Sequence, residues 1–113
     1  MSCIFCKIVD GSLPARKVYE DDDVLAFHDV NPQAPVHVLV IPKQHIAKFS
    51  DFNEHEHELI GKIFYAAKKV AEELQLTEDG FRLVVNNGAN AHQTVFHLHV
   101  HILGGRKFTW PPG

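Results

Sequence analysis

The sequence predicts an α+β fold in which an antiparallel sheet of about five strands packs against one main helix. Several short segments rich in β-branched and aromatic residues are separated by turn residues, which is typical of strands. One longer segment has apolar residues at helical spacing. The chain has 113 residues, of which 45% are hydrophobic. This length indicates a single domain over residues 1–113.

The first half of the chain contains three predicted strands. Residues 18–20 and 24–27 flank an acidic run, residues 21–23. We interpret this run as a solvated turn, because consecutive carboxylates fan outwards and do not converge on a metal. Residues 36–41 are apolar apart from His37, which predicts a central strand. His37 is either a core histidine with satisfied hydrogen bonds or a member of a histidine cluster.

The main helix is predicted over residues 53–76. Asn53 can cap it, and glutamates follow in the first turns, where they stabilise the helix dipole. Its apolar residues form one buried stripe, made of Leu59, Ile63, Ala66 or Ala67, Val70 and Leu74. Residues 81–86 are predicted to form the next strand, and a loop containing glycine and asparagine connects it to the last one.

The last predicted strand lies within residues 94–105 and has histidine at three alternate positions. Alternate residues of a strand point to the same face, so His97, His99 and His101 are expected to share one face, about 6–7 Å apart. The apolar residues between and beside them are expected to face the core: Phe96, Leu98, Val100 and Ile102. The structural alternative is a polar outer face that happens to be histidine.

Three imidazoles beside a glycine-containing loop and the hydroxyl of Thr94 favour phosphoryl or nucleotidyl transfer. An imidazole nitrogen can attack phosphorus and later be displaced by water, which divides one hard step into two. The sequence has no P-loop motif and no aspartate-rich two-metal constellation. The net charge is -3, whereas proteins that bind nucleic acid carry an excess of positive charge, so the charge does not indicate nucleic-acid binding. Because no apolar run resembles a membrane span or a secretory signal, we expect a soluble, cytoplasmic protein without nucleic acid or membrane partners.

Cys3 and Cys6 form a Cys-x-x-Cys motif. The motif has three interpretations, namely half of a structural zinc site, two unrelated thiols, or a redox pair. A redox motif would follow a strand, and only two residues precede Cys3. A zinc site needs two more ligands. The nine histidines of the chain can supply them, since zinc takes thiolates and imidazoles in tetrahedral sets.

The segment His97-Leu98-His99-Val100-His101-Ile102-Leu103 has three alternating histidines followed by two apolar residues. Collinear with it are Ala26-Phe27-His28-Asp29-Val30, Pro32-Gln33-Ala34-Pro35, Val40-Ile41-Pro42-Lys43, and an ending that runs from Gly104-Gly105-Arg106 to Trp110-Pro111-Pro112-Gly113. Together these blocks resemble the histidine-triad (HIT) family, and in particular its nucleotide-binding Hint branch. The resemblance runs from about Ile4 to the last residue and implies a HIT-like fold and a two-fold homodimer.

The resemblance also implies catalytic roles. His99 matches the nucleophile that forms a covalent nucleotidyl intermediate, and a backbone carbonyl after the triad is expected to hold its other ring nitrogen. His101 and His37 match histidines that contact phosphate or orient the nucleophile. Thr94 matches a hydroxyl beside the leaving group. Hint proteins usually have glycine where this chain has His92, which either crowds the phosphate loop or adds an imidazole donor.

For nucleotide binding, the resemblance implies that Asp29 accepts hydrogen bonds from the ribose hydroxyls. The other residues implied to contact the nucleotide are Phe5, Ile8, Leu13, Phe27, Val30, Asn86 and Gln93, together with His99 and His101. The apolar members would form a slot for the purine, and each of them has a role in the core as its alternative.

A structural zinc ion is also implied, because some bacterial-type relatives pair the Cys-x-x-Cys with two histidines. In this chain the implied ligands are Cys3, Cys6, His45 and His97, and no cofactor is expected for catalysis.

The implied activity is hydrolysis of purine nucleoside 5′-phosphoramidates to nucleoside monophosphate and amine through a nucleotidyl-histidine. One alternative is dinucleoside polyphosphate hydrolysis by the same nucleophile, against which the Trp110-Pro111-Pro112-Gly113 ending argues. The other is a nucleotide-binding adaptor with little turnover. In Hint-like homodimers the tail approaches the partner's active site, so we expect Trp110 to be buried there.

Overall fold

Five antiparallel strands form one sheet in the computed structural model, which describes residues 3–113. In chain order they are β1 (Lys17–Glu20), β2 (Val24–His28), β3 (Val36–Pro42), β4 (Phe81–Val84) and β5 (Val100–Gly104). Their order across the sheet is β1-β2-β3-β5-β4. The five-stranded antiparallel sheet and its single main helix confirm the predicted α+β fold and the central position of the apolar strand β3.

The main helix, α2 (His57–Glu73), packs on one face of the sheet. A short 3-10 turn, Glu54–Glu56, precedes it. Asn53 caps this start as predicted, since its side chain accepts a hydrogen bond from the backbone N–H of His55 at 2.8 Å. The predicted apolar stripe is buried at Ile63, Ala66, Ala67 and Val70. The helix ends earlier than predicted, and Gln75 then turns the chain with a φ of 60°.

A short N-terminal helix, α1 (Ile4–Val9), covers part of the other face of the sheet. The sequence analysis does not predict it. Cys3 caps it, because its sulfur accepts a hydrogen bond from the backbone N–H of Cys6 at 3.3 Å. Helix α1 directs Phe5 and Ile8 onto residues of β2 and β3, where they form a second apolar cluster. The sheet therefore has a core on both faces.

The last strand begins later than predicted, at Val100, so His101 is in β5 whereas His97 and His99 precede it. Strand β3 ends at Pro42, and its final pairing with β5 is Val40 with Val100. Beyond that point the carbonyl oxygen of Pro42 contacts the His97 ring at 2.8 Å, and proline has no N–H to extend the ladder. The prediction that all three histidines belong to one strand is therefore wrong, although Phe5 packs against the rings of both His97 and His99.

Two further expectations about exposure differ from the structure of the single chain. Leu98, Val100 and Ile102 are buried as predicted, but Phe96 is 48% exposed. Trp110 is 80% exposed, so its expected burial is not achieved within one chain. Among the described helices, none combines the length and the apolar composition that a membrane span requires.

Candidate active site

A cleft of about 810 Å³ opens on the face of the sheet that carries α1. This volume is in the usual range for small-molecule sites. The structure brings most of the sequence-predicted site residues to its walls: Phe5, Ile8, Leu13, Phe27, Asp29, Val30, His37, Asn86, Thr94, His99 and His101. Residues from α1, β2, β3 and β5 thus meet at one place, as do residues from the loops that precede β3 and β5.

The apolar part of the cleft is built from residues of α1 and β2. Phe5 meets Phe27 edge to face, with 5.4 Å between the ring centroids. Phe5, Ile8 and Phe27 are buried in the second apolar cluster and also line the cleft. The two alternatives for these residues, core and binding slot, are therefore compatible. Val30 lies at the mouth and is fully exposed.

His37 and His101 form a hydrogen-bonded chain whose direction follows from one backbone group. The N–H of Gln33 donates to Nδ1 of His37 at 3.0 Å. Nδ1 is therefore the unprotonated nitrogen, and Nε2–H donates to Nδ1 of His101 at 2.9 Å. His101 must then carry its proton on Nε2, a buried atom without a hydrogen-bond partner among residues 3–113. We call Gln33 N–H, His37 and His101 the histidine chain.

Burial favours the neutral form of three histidines that line the cleft, His37, His99 and His101. Burial lowers the pKa of His99 and of His37, although Asp29 opposes both shifts. Burial, followed by the charges of His99 and His37, lowers the pKa of His101 to about 4. The 3.5 Å contact between Asp29 Oδ2 and His37 Nε2 therefore involves a neutral imidazole and is not an ion pair.

His99 is the most suitable nucleophile in the cleft. Its Nδ1–H donates to the backbone carbonyl of His97 at 2.7 Å, which leaves the lone pair on Nε2. The side chain is only 7% exposed, and Phe5 packs edge to face against it at 5.3 Å. The carbonyl belongs to the triad itself, not to a residue after it as expected. A neutral, oriented imidazole of this kind can attack an electrophilic phosphorus atom.

Cys3, Cys6, His45 and His97 meet on the other side of His99, and we call them the Cys–His cluster. The two Nδ1 atoms of His45 and His97 are 3.2 Å apart. Three of the four sulfur–nitrogen distances are 3.3, 3.3 and 3.6 Å, and all four ligand atoms lie within 4.8 Å of one another. A tetrahedral zinc ion about 2.3 Å from sulfur and about 2.0–2.1 Å from nitrogen separates its ligand atoms by roughly 3.3–3.8 Å. The cluster therefore has the dimensions of a tetrahedral metal site.

The protonation of His97 also suits a metal ligand. Its Nε2 lies 2.8 Å from the carbonyl oxygen of Pro42 and donates to it, so Nδ1 presents a lone pair to the cluster. Burial lowers the pKa of the ring, which favours the neutral form that ligates. Burial, followed by hydrogen bonding to Cys3, raises the pKa of the Cys6 thiol to about 11. A cation between the sulfurs would oppose that shift, because thiolate is the ligating form.

Gln93, for which a nucleotide contact is implied, is not among the residues that line the cleft. Its side chain is 5% exposed, and its oxygen accepts from the N–H of Gly88 at 2.8 Å. Its nitrogen donates to the carbonyls of Ala47 at 2.8 Å and Val95 at 3.1 Å. Gln93 therefore holds the loop before the triad in place. The neighbouring His92 has a left-handed φ of 65°, is exposed and lines the cleft.

The orienting role of Gln33 is not identified by sequence reasoning. A backbone donor has no side-chain signature, so a motif cannot indicate it. The one available signal is the Pro-Gln-Ala-Pro block, in which the two prolines have no N–H and leave Gln33 and Ala34 as the donors of the loop.

Comparisons with known proteins agree with this geometry. The family model for the HIT domain matches residues 10–108. An uncharacterised HIT-like protein of Synechocystis sp. is 58% identical over 110 residues, which are 97% of this chain and 96% of that protein. The crystal structure of a HIT family hydrolase from Legionella pneumophila has a TM-score of 0.97 at 51% identity and covers 99% of this chain and 100% of its own. A histidine triad protein from Clostridium difficile has a TM-score of 0.93 at 47% identity, with 96% and 95% covered.

Proposed function

The chain belongs to the HIT domain family, and on this basis we propose that it hydrolyses purine nucleoside 5′-phosphoramidates to nucleoside monophosphate and amine. The observation that carries the proposal is the arrangement of His99 and His101. A neutral His99 with its lone pair on Nε2 stands next to a buried N–H donor of His101, with 4.9 Å between the ring centroids. A nucleophile beside a donor for a phosphate oxygen is what nucleotidyl transfer requires.

The rest of the cleft supports a nucleotide as the substrate. The slot formed by Phe5, Ile8, Leu13 and Phe27 gives a flat base an apolar surface to stack on. Asp29 lines the same cleft, with Oδ2 at 3.5 Å from His37 Nε2, and its carboxylate is suited to accept from ribose hydroxyls. An apolar slot does not read the edges of a base closely, so we expect only a mild preference between adenine and guanine.

The reaction proceeds in two steps in this proposal. Nε2 of His99 attacks the α-phosphorus, the P–N bond breaks, and the departing nitrogen takes a proton from solvent and leaves as the amine, giving a nucleotidyl-histidine. Nε2–H of His101 donates to a non-bridging phosphate oxygen, and the hydroxyl of Thr94 lies beside the leaving group. Water then attacks the phosphorus, the bond to His99 breaks, and nucleoside monophosphate is released. The hydrogen bond from His99 to the His97 carbonyl stabilises the imidazolium character that develops in each step.

Steady-state turnover of an adenosine 5′-phosphoramidate, measured beside diadenosine tetraphosphate on the purified protein, tests this function. We expect preferential hydrolysis of the phosphoramidate. Preferential hydrolysis of the dinucleotide would contradict the phosphoramidase assignment and favour a dinucleoside polyphosphate hydrolase. Tight binding of nucleoside monophosphate without turnover of either compound would favour a nucleotide-binding adaptor.

We also propose that the Cys–His cluster holds a structural zinc ion. Two thiols and two imidazole nitrogens are a preferred zinc set, and the ligand separations fit a tetrahedron. With four protein ligands the site is closed, so the ion would supply no open position for a substrate. Its contribution would be to tie the N-terminal segment with α1, which lines the cleft, to His45 just after β3 and to His97 just before β5.

A two-fold homodimer is the third part of the proposal. Strand β4 is an edge of the sheet and exposes Leu83, while α2 exposes Phe64 and Tyr65. Apolar side chains on an edge strand and a helix are suited to a symmetric interface. The exposed Trp110 would then be buried near the active site of the partner. Light scattering should give the mass of a dimer, and a monomer at micromolar concentration would contradict it.

A further inference from the structure

We propose that Arg106 is a positioning residue for the active site, because its guanidinium holds Gln33 and thereby fixes the tautomer of His37. The role in turnover rests on the proposed function. The role in the tautomer does not, since it follows from the contacts of Arg106 with Gln33 and from those of the histidine chain.

Arg106 lies at the start of the C-terminal tail and reaches back to the loop before β3. Its Nε and Nη2 donate to the carbonyl oxygen of Gln33 at 3.4 and 3.2 Å. Nη1 donates to the carbonyl of Lys107 at 3.2 Å, and the guanidinium lies 4.2 Å from the centroid of the Phe108 ring. Two donors on one acceptor, with the plane stacked on an aromatic ring, give the guanidinium a defined orientation.

The backbone packing supports the same contact. Gly105, with a φ of 86°, lies so close to the loop that a Cβ built on it would be 2.9 Å from Cβ of Pro35. The tail and the loop therefore meet at Gly105, whose position beside the Pro35 ring leaves no room for a side chain, and again at the side chain of Arg106. Gln33 is held between them, with its carbonyl directed to Arg106 and its N–H to His37.

Fixing Gln33 matters because the N–H of Gln33 determines where the proton of His37 resides. While this N–H points at Nδ1, the proton of a neutral His37 must be on Nε2, and His101 must then carry its own proton on Nε2. Asp29 Oδ2, at 3.5 Å from His37 Nε2, acts in the same sense but at a longer distance. If Gln33 moves away, water can replace its N–H, and His37 can exchange between tautomers. The N–H of His101 is then directed into the cleft for only part of the time.

The test is the ring nitrogen spectrum of His37 and His101 in Arg106→Met, recorded by ¹⁵N NMR without substrate. Methionine retains much of the length and apolar contact of arginine but donates no hydrogen bond. The matched control is Lys107→Met, which removes the same charge from the adjacent residue; Lys107 contributes its backbone carbonyl, not its side chain, to the Arg106 contacts. We expect the His37 Nδ1 signal to move from an acceptor value towards a tautomeric average in Arg106→Met, and to stay unchanged in Lys107→Met.

Turnover supplies the second measurement. We expect Arg106→Met to lower kcat on the order of tenfold with little change in KM, since the lost orientation corresponds to about one hydrogen bond. Arg106→Lys, which keeps a donor but loses the planar fork, should lie between the wild type and Arg106→Met in both measurements.

The outcomes separate the proposals. Ring nitrogen signals in Arg106→Met identical to those of the wild type would overturn the positioning role, whether or not its melting temperature or activity falls. If Arg106→Met does not fold, Arg106→Lys decides by the same His37 signal. If the signals change as expected but the wild type does not hydrolyse the phosphoramidate, the positioning role stands and the proposed function fails.

Discussion

The carbonyl oxygen of His97 accepts a hydrogen bond of 2.7 Å from Nδ1 of His99, while the ring of His97 belongs to the Cys–His cluster. One residue thus connects two groups of side chains, through its backbone on one side and its imidazole on the other. The orientation of His99 therefore depends on where the cluster holds His97.

Replacing His99 by alanine should abolish turnover while leaving nucleotide binding largely intact. The reason is that His99 provides the only lone pair we assign to the attack, whereas the apolar slot and Asp29 provide most of the binding contacts. Phosphoramidate hydrolysis and titration with AMP measure the two properties separately. Residual turnover above a small fraction of the wild-type rate would contradict the role of His99 as nucleophile.

Replacing His45 by alanine should weaken zinc binding by more than about 100-fold, because removing even an outer partner of a metal ligand costs about 10–100-fold in affinity. His55→Ala is the matched control, since His55 is another exposed histidine that lies outside the cluster. Metal content by elemental analysis after dialysis, with the melting temperature, makes the comparison. Equal zinc content in both variants, or no zinc in the wild type, would contradict the proposed zinc site.

Replacing Gln75 by glycine should raise the free energy of unfolding by about 0.5–1 kcal/mol, because a left-handed conformation strains a side chain but not glycine. Gln75 has a φ of 60° immediately after α2. Gln75→Ala, which keeps the unfavourable conformation, is the control and should give no such gain. Urea unfolding measures both, and a loss of stability in Gln75→Gly would show that the side chain of Gln75 contributes more than its conformation costs.

The stability of the protein should fall as the pH decreases from about 6.5 to about 4, partly through His101. Burial lowers the pKa of His101 from 6.5 to about 4 in the folded chain. Between these values the unfolded state binds more protons than the folded state, so the free energy of unfolding rises with pH there and levels off above 6.5. Urea unfolding of the wild type and of His101→Gln across this range measures the contribution. Identical pH dependence in both proteins would exclude it.

Sequence periodicity predicts the parts of the fold that depend on regular burial, such as β3 and the stripe of α2. It does not predict α1, since six helical residues are too few for a clear period and the cap is a thiol, Cys3. It also extends the last strand too far, because the alternation continues through His99 and His97 although the pairing with β3 stops at Val100, and the N–H of Leu98 donates to the carbonyl of Ile46 instead.

Motif spacing predicts which side chains assemble better than it predicts how they are oriented. His37, His99 and His101 meet in one cleft, and the four residues of the Cys–His cluster meet beside it, as expected. The tautomers of His37 and His99, by contrast, depend on backbone groups of Gln33 and His97. Every residue has such groups, so no sequence pattern indicates which of them bind a histidine. The loop contacts of Gln93 are not predicted for a related reason, since the sequence does not show that its side chain bonds Gly88, Ala47 and Val95.

The contact of 2.9 Å between His37 and His101 joins β3 to β5, two strands separated by more than half of the chain. Closing such a long loop is slow compared with forming a hairpin such as β1–β2, so this pairing is expected late in folding. A partly folded chain that contains the hairpin and α2 would therefore have no nucleotide site. Nucleotide affinity is then a sensitive reporter of complete folding, and a bound nucleotide stabilises only the fully folded state by mass action.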